Sequence, residues 1–122
     1  MFSSVRVKQY IQTGINVNSA ATDVGSFTNL PAKYRVVRSQ PFDASINLTT
    51  ATYDLRTATG GGGTAIVAAQ ALSALTAASK FVDSTLAVTA DYQTASTLTI
   101  RNVTAQGAAA TCSFLLEILD LS

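Results

Sequence analysis

Hydrophobic and polar residues alternate with a period of two in several short segments of this chain, at residues 5–11, 45–49, 52–57 and 86–90. Further strand-like segments, rich in β-branched or apolar residues, occur at 34–37, 64–69 and 96–104. Glycine, proline or asparagine residues separate many of them, and such residues end regular strand pairing. This pattern is typical of β-strands with one buried face, and it predicts an all-β domain.

The most apolar segment lies near the end of the chain, after a short Gln-Gly-Ala turn. One face of this last strand carries Cys112, Phe114, Leu116 and Ile118, and the other carries Leu115, Leu119 and Leu121, with Glu117 between them. A strand that is apolar on both faces needs cover on both, so it lies centrally in a sandwich or at a subunit contact. We therefore expect Leu115, Leu119 and Leu121 to form an oligomer interface.

The spacing of these segments predicts one domain over residues 1–122, an antiparallel β-sandwich of about eight strands with a jelly-roll-like arrangement. Residues 71–80, ALSALTAASK, have helical spacing and helix-forming residues, and they predict one short helical connector. The four glycines Gly60–Gly63 predict a hairpin loop. In the first strand, the side with Arg6, Lys8 and Tyr10 is expected to face solvent.

Charged residues make up only 12% of the chain, while hydrophobic residues make up 48%. The charged share is about half that of an ordinary soluble domain. Two interpretations stay open: a surface that neighbours cover in an assembly, or an ordinary β-domain with threonine-rich outer faces. The net charge of +1 argues against nonspecific binding to nucleic acid or to an anionic membrane.

The positive charge is concentrated near the beginning of the chain, which could dock on an acidic surface. Arg6 and Lys8 lie in this stretch, within residues 1–13. Solvated side chains on a strand would explain the same bias.

The residues offer little for catalysis or for metal binding. Histidine is absent, and the one cysteine, Cys112, lies in the most apolar strand, where a core role is expected. The glycine run lacks the Lys-Ser or Lys-Thr pair of a phosphate loop. We therefore expect no catalytic residues, no cofactor and no metal, and we expect that the protein is not an enzyme. Residues 1–10 lack the apolar region of a signal peptide, and no apolar run reaches the roughly 20 residues of a membrane-spanning helix.

From about Tyr34 onward, the layout of the chain resembles small head decoration or cement proteins of tailed bacteriophages. The resemblance is carried by the strands YRVV at residues 34–37 and YDLR at 53–56, the glycine tip with Thr64–Ile66, the Ala/Leu-rich stretch 72–78, and the closing pair LTIR at 98–101 and SFLLEILDL at 113–121. It covers about two thirds of the chain.

This resemblance implies a jelly-roll-like homotrimer that binds the major capsid protein on the outside of the head and stabilises the capsid. The protein would be made in the host cytoplasm and located on the virion exterior. Residues 1–30 have no counterpart in this resemblance. The positive bias of the N-terminal stretch suggests instead that residues 1–13 are an N-terminal arm or an exchanged strand, with Arg6 and Lys8 as capsid contacts. No nucleic acid or membrane partner is expected.

Two other functions remain open. The same sandwich could be a tail, collar or fibre component that binds a host-surface carbohydrate, which would need exposed aromatic residues together on one face. An enzyme with a site built from aspartate and tyrosine is the least favoured.

Overall fold

The computed structural model describes residues 6–122, and this part of the chain is all-β and contains no helix. Its seven strands are β1 (Arg6–Asn16), β2 (Thr22–Phe27), β3 (Tyr34–Phe42), β4 (Thr52–Arg56), β5 (Ala65–Ala71), β6 (Leu98–Thr104) and β7 (Thr111–Asp120). They form two antiparallel sheets, one with the order β1-β7-β3 and one with the order β2-β6-β4-β5. The predicted all-β class is confirmed.

The strongly apolar strand β7 occupies the centre of the three-stranded sheet. It pairs with β1 from Arg6↔Asp120 to Asn16↔Thr111, and with β3 on its other side. The register of β1 shifts between Gln12 and Ile15, where Gly14 has a φ of +64°. Glycine adopts this left-handed conformation without a steric penalty, so it allows the bulge.

The inner faces of the two sheets pack together in one hydrophobic core, as in a sandwich. The core face of β7 consists of Cys112, Phe114, Leu116 and Ile118, each at most 1% exposed. Across the interface, the ring of Tyr53 on β4 meets Phe114 edge to face, with the ring centroids 4.8 Å apart. Aromatic pairs favour this geometry.

Residues 81–95, which we call the covering segment, run beside the free edge of β3. An antiparallel bridge joins Phe42 to Phe81, and Tyr34 and Gln93 exchange backbone hydrogen bonds in both directions. Between these points, the amide of Ser84 donates to the carbonyl of Ser39. The amide of Ala87 instead donates to Ile66 of the other sheet, so the segment closes this side of the sandwich. The alternation predicted at residues 86–90 is present as alternating burial from Leu86 to Thr89, but Ala90 is exposed like Thr89 and no regular strand forms there.

The helical connector predicted near residues 71–80 is wrong, because the stretch forms turns. Leu72 and Leu75 are fully buried, and each bonds to the loop that precedes β4. The Leu72 amide donates to the Ala51 carbonyl, and the Leu75 carbonyl accepts the Leu48 amide. These long-range bonds override the local helical preference. They also hold residues 45–49 as a loop, so the strand expected there is absent and the described strands number seven.

The predicted hairpin loop at Gly60–Gly63 is present between β4 and β5, and side chains hold it in place. The Gly60 amide donates to the carboxylate of Asp23 over 2.8 Å, and Arg101 forms an ion pair with the same carboxylate at 2.9 Å. The pKa of Asp23 is lowered, mainly by the Gly60 amide. The tip of this hairpin is thus joined to β2 and β6.

One buried hydroxyl links the two sheets to the covering segment. The Tyr53 hydroxyl lies 2.9 Å from the Ser39 hydroxyl and also forms a hydrogen bond with Ser84. Tyr53 is 1% exposed, and burial raises its pKa to about 12. The pair of serines therefore satisfies the only polar atom of this side chain.

We predict that Tyr53→Phe lowers the free energy of unfolding at neutral pH by about 1–2 kcal/mol, because the buried Ser39 hydroxyl and the half-buried Ser84 hydroxyl lose their partner. Urea denaturation measures the change. The matched control is Tyr92→Phe, since Tyr92 is 56% exposed and should tolerate the same change. Equal stability of Tyr53→Phe and the unsubstituted chain would contradict this role of the hydroxyl.

Candidate functional site

Four apolar residues lie together on the outer face of the three-stranded sheet, which we call the apolar quartet. Val7 of β1 is opposite Leu119 of β7, and Ile11 is opposite Leu115. Val7 and Ile11 are 58% and 57% exposed, and the two leucines are half-buried. Directly opposed side chains in an antiparallel pair are in contact range, so the four form one apolar surface.

Polar side chains divide and border this surface. Between the two apolar pairs, Gln9 is opposite Glu117 and donates a hydrogen bond of 2.7 Å to its carboxylate. On the β3 side, Arg35, Arg38 and Gln40 are opposite Leu119, Glu117 and Leu115, respectively. An apolar surface with a polar rim is the usual composition of a protein interface.

The structure brings together two of the three leucines predicted as an oligomer interface. Leu115 and Leu119 belong to the apolar quartet, and whether they contact a second subunit stays a prediction. Leu121 follows the end of β7 and is 44% exposed, and its amide donates to the Lys33 carbonyl. Its side chain lines a separate cavity.

The sequence did not identify the contribution of β1 to this surface. The side of β1 with Tyr10 was expected to face solvent, but Tyr10 packs against the core, while Val7 and Ile11 face outward. Period-two spacing separates two faces without saying which is buried. The pairing with β7 decides it, because β1 takes its orientation from that ladder.

The predicted capsid contacts, Arg6 and Lys8, lie at the beginning of β1 and bind a carboxylate of their own chain. The Lys8 ammonium is 3.1 Å from Asp120, and the Arg6 guanidinium is 4.0 Å from it. The Lys8 side chain remains 42% exposed and the Arg6 side chain 62% exposed. A capsid contact by these two residues stays a prediction.

The expected arm or exchanged strand over residues 1–13 lies partly outside the described residues, which begin at Arg6. The part from Arg6 to Thr13 belongs to β1 and pairs with β7 of the same chain.

Asp120 is the charged centre of this end of the sheet, and its side chain is 4% exposed. It accepts hydrogen bonds from the hydroxyl and the amide of Ser122. These two bonds and the nearby Lys8 lower the pKa of Asp120 to about 2, against a smaller opposing effect of burial.

A cavity of about 340 Å³ opens where β3, the covering segment and the residue after β7 meet. Its lining consists of Arg35, Val88, Thr89, Ala90, Asp91, Tyr92 and Leu121. Tyr92 is 56% exposed, and the Lys33 ammonium lies 4.7 Å from the centre of its ring. The cavity thus combines an aromatic ring, apolar side chains and both signs of charge.

Residues 6–122 contain seven Asp and Glu residues and one cysteine, the side chains of this chain most suited to metal binding or nucleophilic chemistry. No group of three or more His, Cys, Asp or Glu residues lies close enough there to hold a metal ion. Cys112 is buried, and burial raises the pKa of its thiol to about 12, so the thiol is protonated at neutral pH. In the same range, no helix is long and apolar enough to cross a membrane.

No protein-family model matches this chain, and comparisons with curated proteins and with solved structures found no significant match.

We predict that Asp120→Asn is less stable than the unsubstituted chain at neutral pH, and that the difference shrinks in acid. A pKa near 2 in the folded state, below the ordinary value of 3.8, means that the ionised carboxylate stabilises the fold. This contribution is complete above about pH 4 and is lost as the pH falls toward 2. Urea denaturation at pH 7, 4, 3 and 2 measures it.

The control is Asp91→Asn, since Asp91 is exposed and takes no part in the hydrogen bonds and ion pairs of Asp120. A gap between Asp120→Asn and the unsubstituted chain that stays constant from pH 7 to 2 would contradict the assignment.

Proposed function

We propose that this chain is a structural protein of a tailed-phage virion that decorates the outside of the head. It forms a homotrimer, binds the major capsid protein and stabilises the capsid lattice after synthesis in the host cytoplasm. In this role the chain works by binding, without catalysis, cofactor or metal. The observation that carries the proposal is the apolar quartet, Val7, Ile11, Leu115 and Leu119, on the outer face of the sheet that contains β7.

The quartet supports self-association because its exposed members, Val7 and Ile11, are aliphatic residues on the same face of β1, on either side of Gln9. Fully burying one such side chain contributes about 1.5–3 kcal/mol. More than half of Val7 and of Ile11 is still available for burial. Association costs several kcal/mol of translational and rotational freedom, so one such contact alone gives weak binding. A symmetric oligomer repeats the contact, and burial of the quartet in every subunit then offsets this cost.

The strand pairing supports a jelly-roll assignment for the fold. β1 pairs with β7, β2 with β6, and β4 with β5, so the pairs are nested from the outside of the sequence inward. The covering segment, residues 81–95, lies beside β3 and supplies the missing pair of this series. Counted as an eighth strand, it makes two four-stranded sheets. Jelly rolls of this construction occur in viral capsid proteins and in lectins.

The proposed mechanism is stabilisation by linkage. A protein that binds the assembled shell, and not its free subunits, shifts the equilibrium toward the shell. Each contact can be modest, because the three subunits of a trimer bind as a unit and their contributions combine. Low surface charge suits this role, since much of the surface is covered in the assembly.

The second candidate is a tail, collar or fibre component that binds a host-surface carbohydrate. One observation favours it, the cavity of about 340 Å³ with Tyr92 at its rim.

We predict that Ile11→Asp and Leu119→Asp each raise the dissociation constant of the oligomer at least tenfold, about 1.4 kcal/mol, because each places a charge in a contact that excludes water. Sedimentation velocity over a concentration series measures the shift. The matched control is Ile46→Asp, since Ile46 is 39% exposed and lies in the loop after β3. Thermal unfolding of each variant checks that the fold is intact. Folded variants that sediment like the unsubstituted chain would rule out the quartet as the interface.

We predict that Arg6→Glu combined with Lys8→Glu weakens binding to purified phage heads, because these exposed cations face an acidic capsid surface in the proposal. Cosedimentation of the protein with heads at low and moderate salt measures the effect. Lys80→Glu is the control, since Lys80 is exposed and far along the chain. If the double variant binds heads as well as the control does, Arg6 and Lys8 are not capsid contacts.

A further inference from the structure

We propose that the cavity beside Arg35 and Tyr92 binds a sugar unit that carries a carboxylate, as uronic and sialic acids do. This site stands on different residues from the apolar quartet, and it does not depend on the capsid role. A decoration protein could carry it on its outer surface as well as a fibre protein could. Arg35 borders the quartet at Leu119, while the other residues that line the cavity belong to the covering segment and to the residue after β7.

The size of the cavity suits one sugar ring. Its volume of about 340 Å³ lies near the lower end of the roughly 300–1,000 Å³ that is usual for small-molecule sites. Its walls come from three parts of the chain: β3, residues 88–92 and Leu121. The backbone bonds between Tyr34 and Gln93 hold β3 and the covering segment together directly beside it. The cavity is therefore formed before any ligand binds.

Arg35 is the residue from which we infer an anionic ligand. The chain has five arginines, and four of them, Arg6, Arg38, Arg56 and Arg101, each have a carboxylate within 4.0 Å. Within residues 6–122, Arg35 has no such partner, and it lines the cavity. A free guanidinium presents two parallel N–H donors, which match the two oxygens of a carboxylate.

The remaining polar groups favour a carboxylate with neighbouring hydroxyls over a phosphate. Asp91 also lines the cavity, so one positive and one negative side chain face the ligand. A phosphate monoester carries about −1.5 to −2 charges near neutral pH, and Asp91 would repel it more than a single carboxylate. Asp91 and the hydroxyl of Thr89 can instead accept hydrogen bonds from sugar hydroxyls.

Tyr92 supplies the aromatic surface on which the C–H face of a sugar ring can pack. The Lys33 ammonium contacts this ring at 4.7 Å, but Lys33 does not line the cavity. The cation thus restrains the ring without occupying the site. Val88 and Leu121 add apolar contacts beside it. Together, the cavity has an apolar wall, a bidentate cation and hydroxyl acceptors, the three features that an acidic sugar requires.

The test is a titration of the ¹⁵N-labelled protein, followed by the amide chemical shifts of Arg35, residues 88–92 and Leu121. The probes are D-glucuronic acid, N-acetylneuraminic acid, D-glucose and acetate, each at matched ionic strength. At least one of the two acidic sugars should give saturable shifts confined to these amides. Glucose should bind at least tenfold more weakly, because it lacks the carboxylate, and so should acetate, because it lacks the ring.

Two variants identify the residues responsible. Arg35→Gln should weaken binding of the acidic sugar at least tenfold, since a charge-assisted bidentate contact is lost. Tyr92→Ala should also weaken it, and this exposed position tolerates truncation. Arg38→Gln is the matched control, because Arg38 lies on the same strand and forms an exposed pair with Asp83, outside the cavity.

Several results would overturn the proposal. The site is not a sugar site if neither acidic sugar shifts these amides, or if acetate binds as well as the sugars do. The assigned anchor is wrong if Arg35→Gln and Arg38→Gln bind the acidic sugar equally. Because Ile11→Asp leaves the cavity intact, sugar binding should persist in that variant, and the result is separate from the test of self-association.

Discussion

The fold depends on strand β7 being paired on both edges and buried on one face. The backbone of β7 forms hydrogen bonds with β1 on one side and with β3 on the other. The other two strands of this three-stranded sheet therefore pair with β7 and not with each other. Its inner side chains fill the space between the sheets, with exposures of 0–1% from Cys112 to Ile118 on that face. Close packing of the inner side chains fixes the orientation of the strand. Because successive side chains of a strand point to opposite faces, the alternate residues of β7 must then project outward. Leu115 and Leu119 therefore lie on the outer surface as a direct result of how the core is built.

Two neighbouring parts of the surface suit different kinds of partner. On the outer face of β1 and β7, two apolar pairs, Val7 with Leu119 and Ile11 with Leu115, flank the Gln9–Glu117 pair. Beyond the end of β7, the surface becomes polar, with Arg35 and Asp91 beside Tyr92 in a cavity. The covering segment connects these regions, because it bonds to β3 near both of its ends and its residues 88–92 line the cavity. One domain thus carries a surface suited to a protein contact next to a site suited to a small ligand.

Much of the architecture could be predicted from period-two alternation and from the residues that end strands. The two apolar faces of the last strand predicted either a central position in a sandwich or a subunit contact, and β7 is the central strand of its sheet. The Gly60–Gly63 hairpin followed from its composition. The connector at residues 71–80 could not be predicted, because the carbonyl of Ala51 and the amide of Leu48 that prevent a helix come from a distant loop. The outward face of β1 depended in the same way on its pairing with β7.

The sequence predicted only part of the candidate site, again because contacts between residues that are distant in sequence complete it. Leu115 and Leu119 could be found because they share a face within one strand, whereas Val7 and Ile11 join them only through the β1–β7 register. The cavity draws Arg35, Tyr92 and Leu121 from three separate parts of the chain, and no spacing pattern connects such residues. Among the residues that the structure describes, Arg35 has no carboxylate partner, and nothing in the sequence distinguishes it in this respect from the other four arginines.

Sedimentation equilibrium of the unsubstituted chain tests the central claim, that the outer face of the β7 sheet is covered by other copies of this protein. The account predicts a single species with three times the 12.7 kDa mass of one chain at micromolar concentration. A mass of one chain at every concentration, for a folded sample, would contradict it.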